Sequence, residues 1–353
     1  MVLRPPDTAT STNALSIVLG SDGFPFIAYA ADVSPGTPSQ ALLSAHCDDA
    51  DCSSVTPFTL DATGDAVGMF VDHVVGTDGF PLIIYRRETS TAGQLMSIHC
   101  LDVVCSTIDT PSVLTANGQP EQISVTLGSD GFGVIAFYSA QFDLLYTGHC
   151  DNVACTSATF YFHDSYNQGG DVEIIVGSDN LPFVVYEDLQ ADTLNVVHCT
   201  SLDCSTAVVT DITPSTYDDG RDHAVTINTD GNPIIATGNF TDDGIILACA
   251  NVACTSISTT TKVFDAGGYD WIKGLTLANG YSVFAARGTM SLYQLVCFDS
   301  QCRFYDFDNV VGGSNYRDAV LGANGYMMAV GGSGGPEVWL TIVSCGSPSC
   351  RLW

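Results

Sequence analysis

Fourteen cysteines fall into seven pairs of a single spacing, C-x4-C: Cys47/Cys52, Cys100/Cys105, Cys150/Cys155, Cys199/Cys204, Cys249/Cys254, Cys297/Cys302 and Cys345/Cys350. In four pairs a histidine stands directly before the first cysteine, at His46, His99, His149 and His198. Thiols and imidazoles at short spacing offer two chemistries, metal ligation and disulfide formation. Neighbouring residues of a strand point to opposite faces, so a His-Cys dipeptide in a strand does not turn both side chains to one ion. In the last three copies the histidine becomes Ala248, Val296 and Ser344 while the cysteines stay. A zinc site needs four ligands, and each copy supplies two thiols. Disulfides are therefore expected, and with them an oxidising compartment. A spacing of this length suits opposite positions across a β-hairpin, and a bond closing about six residues contributes about 2 kcal/mol by chain entropy.

The remaining candidate chemistry is acidic. Thirty-nine Asp and Glu face ten Lys and Arg, a formal charge of -29. That charge repels a phosphate backbone or an anionic bilayer, so nucleic acid is excluded as a partner class. Membrane insertion is excluded by the lack of any apolar run of about 18 residues. Seven residues before each turn glycine, at one level of the first strand of each copy, stand Ser16, Asp72, Ser124, Glu173, Ala224 and Asp318, with Gly274 read at that place in the sixth copy. A ring of small and acidic side chains, with Asp72, Glu173 and Asp318 as its binding residues, would suit a cation or a basic group of a partner. No D-x-[DN]-x-[DN]-G loop accompanies it, and no cofactor or metal is expected.

Nucleophilic catalysis finds no support. His73, His163 and His223 come from different copies, and no G-x-S-x-G elbow is present. Two-carboxylate glycosidase chemistry stays open, because some pair among so many acids always fits. The glycine-rich stretch from Gly331 to Pro336 lacks the Lys-Ser/Thr of a phosphate loop. Tyr217, Tyr269, Trp271 and Tyr316, near the connections between copies, are candidates for stacking on sugar rings.

These residues hang on a repeated element. Asp22-Gly23 and Asp78-Gly79 sit between apolar runs, a strong hairpin signal, and the turn recurs at Asp130-Gly131, Asp179-Asn180, Asp230-Gly231, Asn279-Gly280 and Asn324-Gly325. Each copy parses as strand a, Asp-Gly turn, strand b, a variable loop, strand c ending at the first cysteine, a stapled turn and strand d. The expected fold is all-β: one domain over residues 1–353, a seven-bladed β-propeller with four antiparallel strands per blade and one hairpin disulfide in each. After Cys350 only Arg351-Leu352-Trp353 remain, too few for a last strand d. Met1-Val2-Leu3 aligns with Pro57-Phe58-Thr59 and is expected to close the last blade, within the chain or in a neighbouring copy.

Asp78-Gly79-Phe80-Pro81-Leu82-Ile83-Ile84-Tyr85, followed by His99-Cys100 and Cys105, resembles the D-G-x-P-x-I-x-Y … H-C-x4-C repeat of secreted bacterial and metagenomic proteins. The resemblance runs over essentially the whole chain and implies an extracellular β-propeller with no assigned catalytic residues. The N-terminus has no apolar signal-peptide core, so export implies a leader removed before Met1. The expected function is a non-catalytic extracellular or cell-surface interaction or assembly module, with a protein or glycan partner or self-association into an oligomer or filament. A carbohydrate-binding lectin and a polysaccharide-cleaving enzyme are the alternatives.

Overall fold

The hairpin turns form because glycine takes the left-handed backbone at no steric cost: φ is +83° at Gly23, +85° at Gly79 and +85° at Gly131. Asn180, in the glycine position of the fourth copy, takes +65°, which asparagine tolerates better than most residues. The structure is a computed structural model that describes residues 2–3, 14–32, 40–50, 52–63, 65–116, 118–165, 169–214, 223–238, 243–264, 270–287, 291–312, 315–332 and 340–344.

Strand β1 spans Val2–Leu3, and the strands then come mostly in fours. The first units are β2 (Leu15–Leu19), β3 (Pro25–Asp32), β4 (Gln40–Cys47) and β5 (Val55–Asp61), then β6 (Ala66–Val75), β7 (Pro81–Glu88), β8 (Gly93–His99) and β9 (Ser112–Thr115). Next come β10 (Pro120–Leu127), β11 (Gly133–Ser139), β12 (Leu144–Cys150) and β13 (Ala158–Ser165), and β14 (Gly169–Val176), β15 (Pro182–Asp188), β16 (Thr193–Cys199) and β17 (Ala207–Asp211). They are followed by β18 (His223–Ile227), β19 (Pro233–Gly238), β20 (Asp243–Cys249) and β21 (Ile257–Phe264), then β22 (Asp270–Thr276), β23 (Ser282–Arg287), β24 (Ser291–Cys297) and β25 (Tyr305–Gly312). The last are β26 (Asn315–Leu321), β27 (Met327–Gly332) and β28 (Leu340–Ser344). No helix occurs among the described residues.

Each run of four forms an antiparallel sheet in chain order, and β1 adds antiparallel to β28 to complete the sheet of β26, β27 and β28. The units β2–β5 and β6–β9 are joined into one sheet by a single parallel bridge, Gln40 to Ala66. The first strands of the units lie side by side in the order β2, β6, β10, β14, β18, β22, β26, and β26 lies against β2. The sheets therefore follow one another around a closed circuit. Their second strands read as continuous apolar runs, Phe26-Ile27-Ala28-Tyr29 and Leu82-Ile83-Ile84-Tyr85, because both faces are buried between neighbouring sheets. Phe26 packs with Ile83 and Tyr85 of the next unit, while Ile27 and Tyr29 pack with Met328 and Val330 of β27. Full burial of each such side chain contributes about 1.5–3 kcal/mol.

The closing strand pairs where it was expected and in a different register. Val2 stands opposite Thr341 and Leu3 opposite Leu340. Counted back from the cysteine, Thr341 corresponds to Leu43, whose partner is Thr59, so Val2 takes the place of Thr59 rather than Phe58. No covalent turn links β28 to β1, so hairpin length does not set this register. Arg351–Trp353 lie outside the described residues.

Six disulfides are formed, Cys47–Cys52, Cys100–Cys105, Cys150–Cys155, Cys199–Cys204, Cys249–Cys254 and Cys297–Cys302, with Cα separations of 4.7–4.9 Å. Cys345 and Cys350 lie outside the described residues. The bonds are not cross-strand: Cys47 pairs in the ladder with Val55 and Cys150 with Ala158. The second cysteine instead lies inside the connecting loop, where it closes a β-turn through Cys52 N–H to Asp49 O at 3.0 Å. All six second cysteines have positive φ, from +49° at Cys155 to +61° at Cys105. A left-handed residue with a Cβ costs about 1–2 kcal/mol, which the bond across the loop offsets. Asx side chains two residues after the first cysteine brace the same loop, as in Ser106 N–H to Asp102 Oδ1 at 2.9 Å and Thr156 N–H to Asn152 Oδ1 at 3.2 Å.

The histidine before the cysteine also finds its role here. His149 Nε2 and His198 Nε2 are hydrogen-bonded at 2.8 Å to Asp130 Oδ2 and Asp179 Oδ2 of the hairpin turns. His46 and His99 lie 2.9 and 2.8 Å from Asp22 and Asp78. The other oxygen of each of these four turn aspartates accepts the N–H two residues on, as Asp130 Oδ1 does from Phe132 at 3.1 Å. One carboxylate thus shapes the a–b turn and fastens it to strand c. In the sixth and seventh copies, which lack the histidine, the turn residue is Asn279 or Asn324. Asp130→Ala is expected to lower stability by about 1–2 kcal/mol, whereas Asp230→Ala, in a copy with Ala248 in place of histidine, is expected to stay within about 0.5 kcal/mol. Urea denaturation of the two variants checks this, and equal losses would contradict it.

Candidate functional site

Where the first strands of the units converge, each presents an edge whose N–H groups have no neighbouring strand in the ladder. The residues seven before the turn glycine meet there. Asp318 Oδ2 accepts Ile17 N–H at 2.8 Å, Asp72 Oδ2 accepts Val125 N–H at 2.8 Å, Ser124 Oγ accepts Ile174 N–H at 3.2 Å and Glu173 Oε2 accepts Val225 N–H at 2.8 Å. Each side chain reaches the N–H one residue past its counterpart in the next unit. Asp72 and Asp318 use their other oxygens on His73 N–H and Ala319 N–H, both at 2.8 Å. The structure thus brings Asp72, Glu173 and Asp318 together with Ser16 and Ser124, mainly as acceptors for backbone donors.

The sixth member of this level is Lys273, not Gly274. Lys273 stands opposite Ala285 as Asp72 stands opposite Ile84, and the chain between strand and turn is no shorter in this copy than in the others. The Lys273 ammonium lies 3.1 Å from Glu173 Oε1, with about 30% of its side chain accessible. A cation does sit among the carboxylates, and the chain supplies it. Gly274 has a different duty: a Cβ there would come 2.4 Å from Val225 O. Ala224 offers no acceptor at this junction, and the backbones of β18 and β22 close up instead, with Thr226 and Thr276 hydroxyls 2.7 Å apart.

Proton accounting around Ser16 is tight. Its Oγ lies 2.8 Å from Asp72 Oδ1, 3.1 Å from Asp318 Oδ2 and 3.1 Å from His73 Nδ1. His73 Nε2 faces the Phe26 carbonyl at 3.2 Å and so carries the ring proton, leaving Nδ1 an acceptor. One hydroxyl proton then serves three acceptors, which favours a second proton in the cluster. Burial pulls the pKa of His73 down to about 4, against the pull of Asp72. Burial lifts Asp318 to about 6, opposed by Lys273 and reinforced by Asp72. Of these groups Asp318 is the first to take up a proton as the pH falls toward 6.

A second charged group lies beyond this level. Burial would lower the pKa of His223, but the carboxylates of Glu187, Asp171 and Glu173 outweigh it and hold the ring at about 9. Its Nε2 is 3.0 Å from Val185 O. Burial lifts Glu173, with Lys273 opposing. Burial would lower the pKa of Lys273, but Glu173, Asp318 and Asp72 overcome it and keep the ammonium charged.

These residues wall a cavity of about 230 Å³ on the axis, lined also by Phe70, Gln122, Asp171, Arg287 and Arg317. β-Bulges aim several of them: the ladder shifts between Met69 and Asp72, Glu121 and Ser124, Gly169 and Val172, and Tyr316 and Asp318. Phe70 and Gln122 both sit in bulges at φ +49°, a left-handed conformation held here in two neighbouring units. Strain of this kind collects at functional sites. Nothing in the residue types at 70 and 122 announces a bulge. The signal that was present is the extra residue between the apolar pattern of the strand and the fixed distance to the turn.

Other candidates fall elsewhere. Tyr316 is 1% exposed and packs in the core between β26 and its neighbours, so it presents no face to a sugar. Residues 215–222, Tyr269 and the Trp271 side chain lie outside the described residues. His163 Nε2 is 2.7 Å from Thr147 Oγ1, remote from His73 and His223 in the fold. Among the described residues no cluster suits a metal ion, and no helix is long and apolar enough to cross a membrane.

No protein-family model and no curated protein matches the chain. Solved structures do. A puromycin hydrolase is 14% identical over 99% of this chain and 55% of its own, with a TM-score of 0.62. A protein from Bacteroides uniformis named for 6-phosphogluconolactonase activity is 13% identical, covering 90% of this chain and 92% of its own at a TM-score of 0.60. The NanB sialidase from Streptococcus pneumoniae is 8% identical over 98% of this chain and 69% of its own, at 0.51. The fold is propeller-like. At these identities the likeness is one of architecture, and the cavity's chemistry must be read from its own residues.

On acidification from about pH 7 to pH 5, Asp318 and His73 act in opposite senses. Asp318, raised to about 6, takes up its proton in the fold before the unfolded chain does, so it adds stability as pH falls. His73, depressed to about 4, removes stability as pH falls below its ordinary 6.5. Asp318→Asn deletes the first contribution and keeps the second. Urea denaturation at the two pH values is expected to show the variant losing stability relative to the wild type on acidification, and parallel pH profiles would contradict the assignment.

Proposed function

We propose that the chain is a secreted seven-bladed β-propeller that works as a non-catalytic binding module, with the partner's group entering the axial cavity. The closed circuit of first strands and the completion of the last sheet by β1 support the blade count and a single domain over residues 1–353. Six disulfides support an oxidising, extracellular setting. The observation that carries the binding reading is the pair of left-handed bulges at Phe70 and Gln122, two residues that line a cavity rich in charged side chains.

A catalytic reading is less well supported, since the carboxylates a glycosidase would use at this level are held by backbone N–H groups or by Lys273. Among binding readings the lectin is favoured over a flat protein surface. A concave site of this size, with one aromatic ring and several hydrogen-bonding groups, suits a single sugar residue better than a protein face.

Gln122→Gly provides the test, because glycine takes φ +49° without strain and the variant is expected to fold at least as well as the wild type. On a glycan array the wild type is expected to bind a subset of sugars, and the variant to lose most of that signal with no drop in melting temperature. Silence of the wild type across the array, or equal binding by the variant, would contradict the reading.

A further inference from the structure

The chain has ten Lys and Arg against thirty-nine Asp and Glu, and three of the ten, Lys273, Arg287 and Arg317, line the axial cavity. They reach it from different places. Lys273 lies on β22 against Glu173 Oε1 at 3.1 Å. Arg287 ends β23, its Nε donating to Asp270 Oδ2 at 3.0 Å and its Nη2 donating to the same oxygen. Arg317 is the bulged residue of β26 and is exposed.

The carboxylate partners fix Lys273 and Arg287 without exhausting them. An ammonium has three N–H donors and a guanidinium five, and both groups keep donors beyond the contacts just named. The wall acids are in the reverse position: Asp72 and Asp318 each have both oxygens on backbone N–H groups, and Glu173 has one on Val225 N–H and the other beside Lys273. These three acids thus have each oxygen beside a donor, while Lys273 and Arg287 keep N–H groups. His223 adds a fourth cationic group behind the wall. Four cationic groups stand against the four lining acids Asp72, Asp171, Glu173 and Asp318 and the two acids behind them, Asp270 and Glu187, a concentration of positive groups unlike the rest of a molecule with ten Lys and Arg against thirty-nine Asp and Glu.

We propose that the cavity binds the carboxylate of a small acidic ligand, a sugar acid of the uronic type, against Lys273, Arg287 and Arg317. Planar guanidinium groups suit a carboxylate, whose two oxygens accept parallel N–H bonds. Phe70 and Gln122 supply a ring face and an amide for the sugar. This proposal rests on the cavity being a ligand site and adds the class of ligand.

Isothermal titration calorimetry on the full chain with glucuronate, glucose and acetate tests it. Glucuronate is expected to bind, glucose to bind at least about tenfold more weakly, and added salt to weaken glucuronate alone. Arg317→Ala and Arg287→Ala are each expected to weaken glucuronate severalfold. Arg317 is exposed, so its variant keeps the fold, which the melting temperature verifies. Acetate binding as tightly as glucuronate would uphold the carboxylate and assign it to a simple acid in place of a sugar. Equal binding of glucose and glucuronate, or glucuronate binding untouched by both arginine variants, would overturn the proposal and leave the cavity a site for neutral sugars. Failure of all three ligands, together with silence on the glycan array, would overturn the proposal and the ligand-site reading together.

Discussion

A ring of sheets whose first strands converge on an axis must satisfy the backbone donors on those inner edges. Strand a bonds to strand b on one side only; on the other side its N–H groups face the axis, where the backbones diverge. Asp318, Asp72, Ser124 and Glu173 solve this one after another, each accepting the N–H of the next strand. Leaving such a donor buried and unpaired costs about 1–3 kcal/mol. The chain therefore commits acidic side chains to the axis despite their burial, and that commitment brings Lys273 in to balance them. The character of the cavity follows: Asp72, Glu173 and Asp318 are occupied, while Lys273 and Arg287 have donors to spare.

The periphery is held by a different economy of groups. Each hairpin-turn aspartate in the first four copies caps its own turn and meets the histidine of strand c, and each of the six described stapled loops is closed by a cysteine in the left-handed region, with an Asx or Ser side chain bracing the loop as at Asp102, Asn152 and Ser201. Serine hydroxyls then link turn to turn, as Ser21 Oγ does to Gly79 O at 2.7 Å and Ser178 Oγ to Gly231 O at 2.6 Å. Ala278 and Ala323 stand at those positions in the last two copies, so the junctions nearest the seam lack this link. Much of the acidic charge that makes the sequence look like a cation binder is spent on backbone geometry.

The repeat was legible because its markers are local: turn glycines, cysteine spacing and apolar alternation each depend on a few adjacent residues. The level of Asp72, Glu173 and Asp318 was legible for the same reason, by counting from a turn. What the acids do there was not, since their partners are backbone N–H groups of the next unit, some fifty residues away. Lys273, not Gly274, stands seven residues before Gly280, so the sixth copy keeps the common spacing and the cation of the ring belongs to the chain itself. The cross-strand disulfide expected from a hairpin became a loop-closing one because the connection is longer than a tight turn and needs a left-handed residue. Tyr316 looked available from its place near a connection and is buried by its partner sheet, whereas Phe70, which no local marker distinguishes, sits in a bulge beside the cavity.

The central claim is that the axial carboxylates are backbone acceptors first. Native-state amide hydrogen exchange at Ile17, Val125, Ile174 and Val225 tests it most directly. The account expects these four edge amides to exchange as slowly as ladder-bonded amides in the middle of β3 or β7, and the protection of Val125 to disappear in Asp72→Ala while β7 stays protected. Rapid exchange at these positions in the wild type would mean that the carboxylates stand free of the backbone, and the cavity would then be an acidic, cation-seeking site.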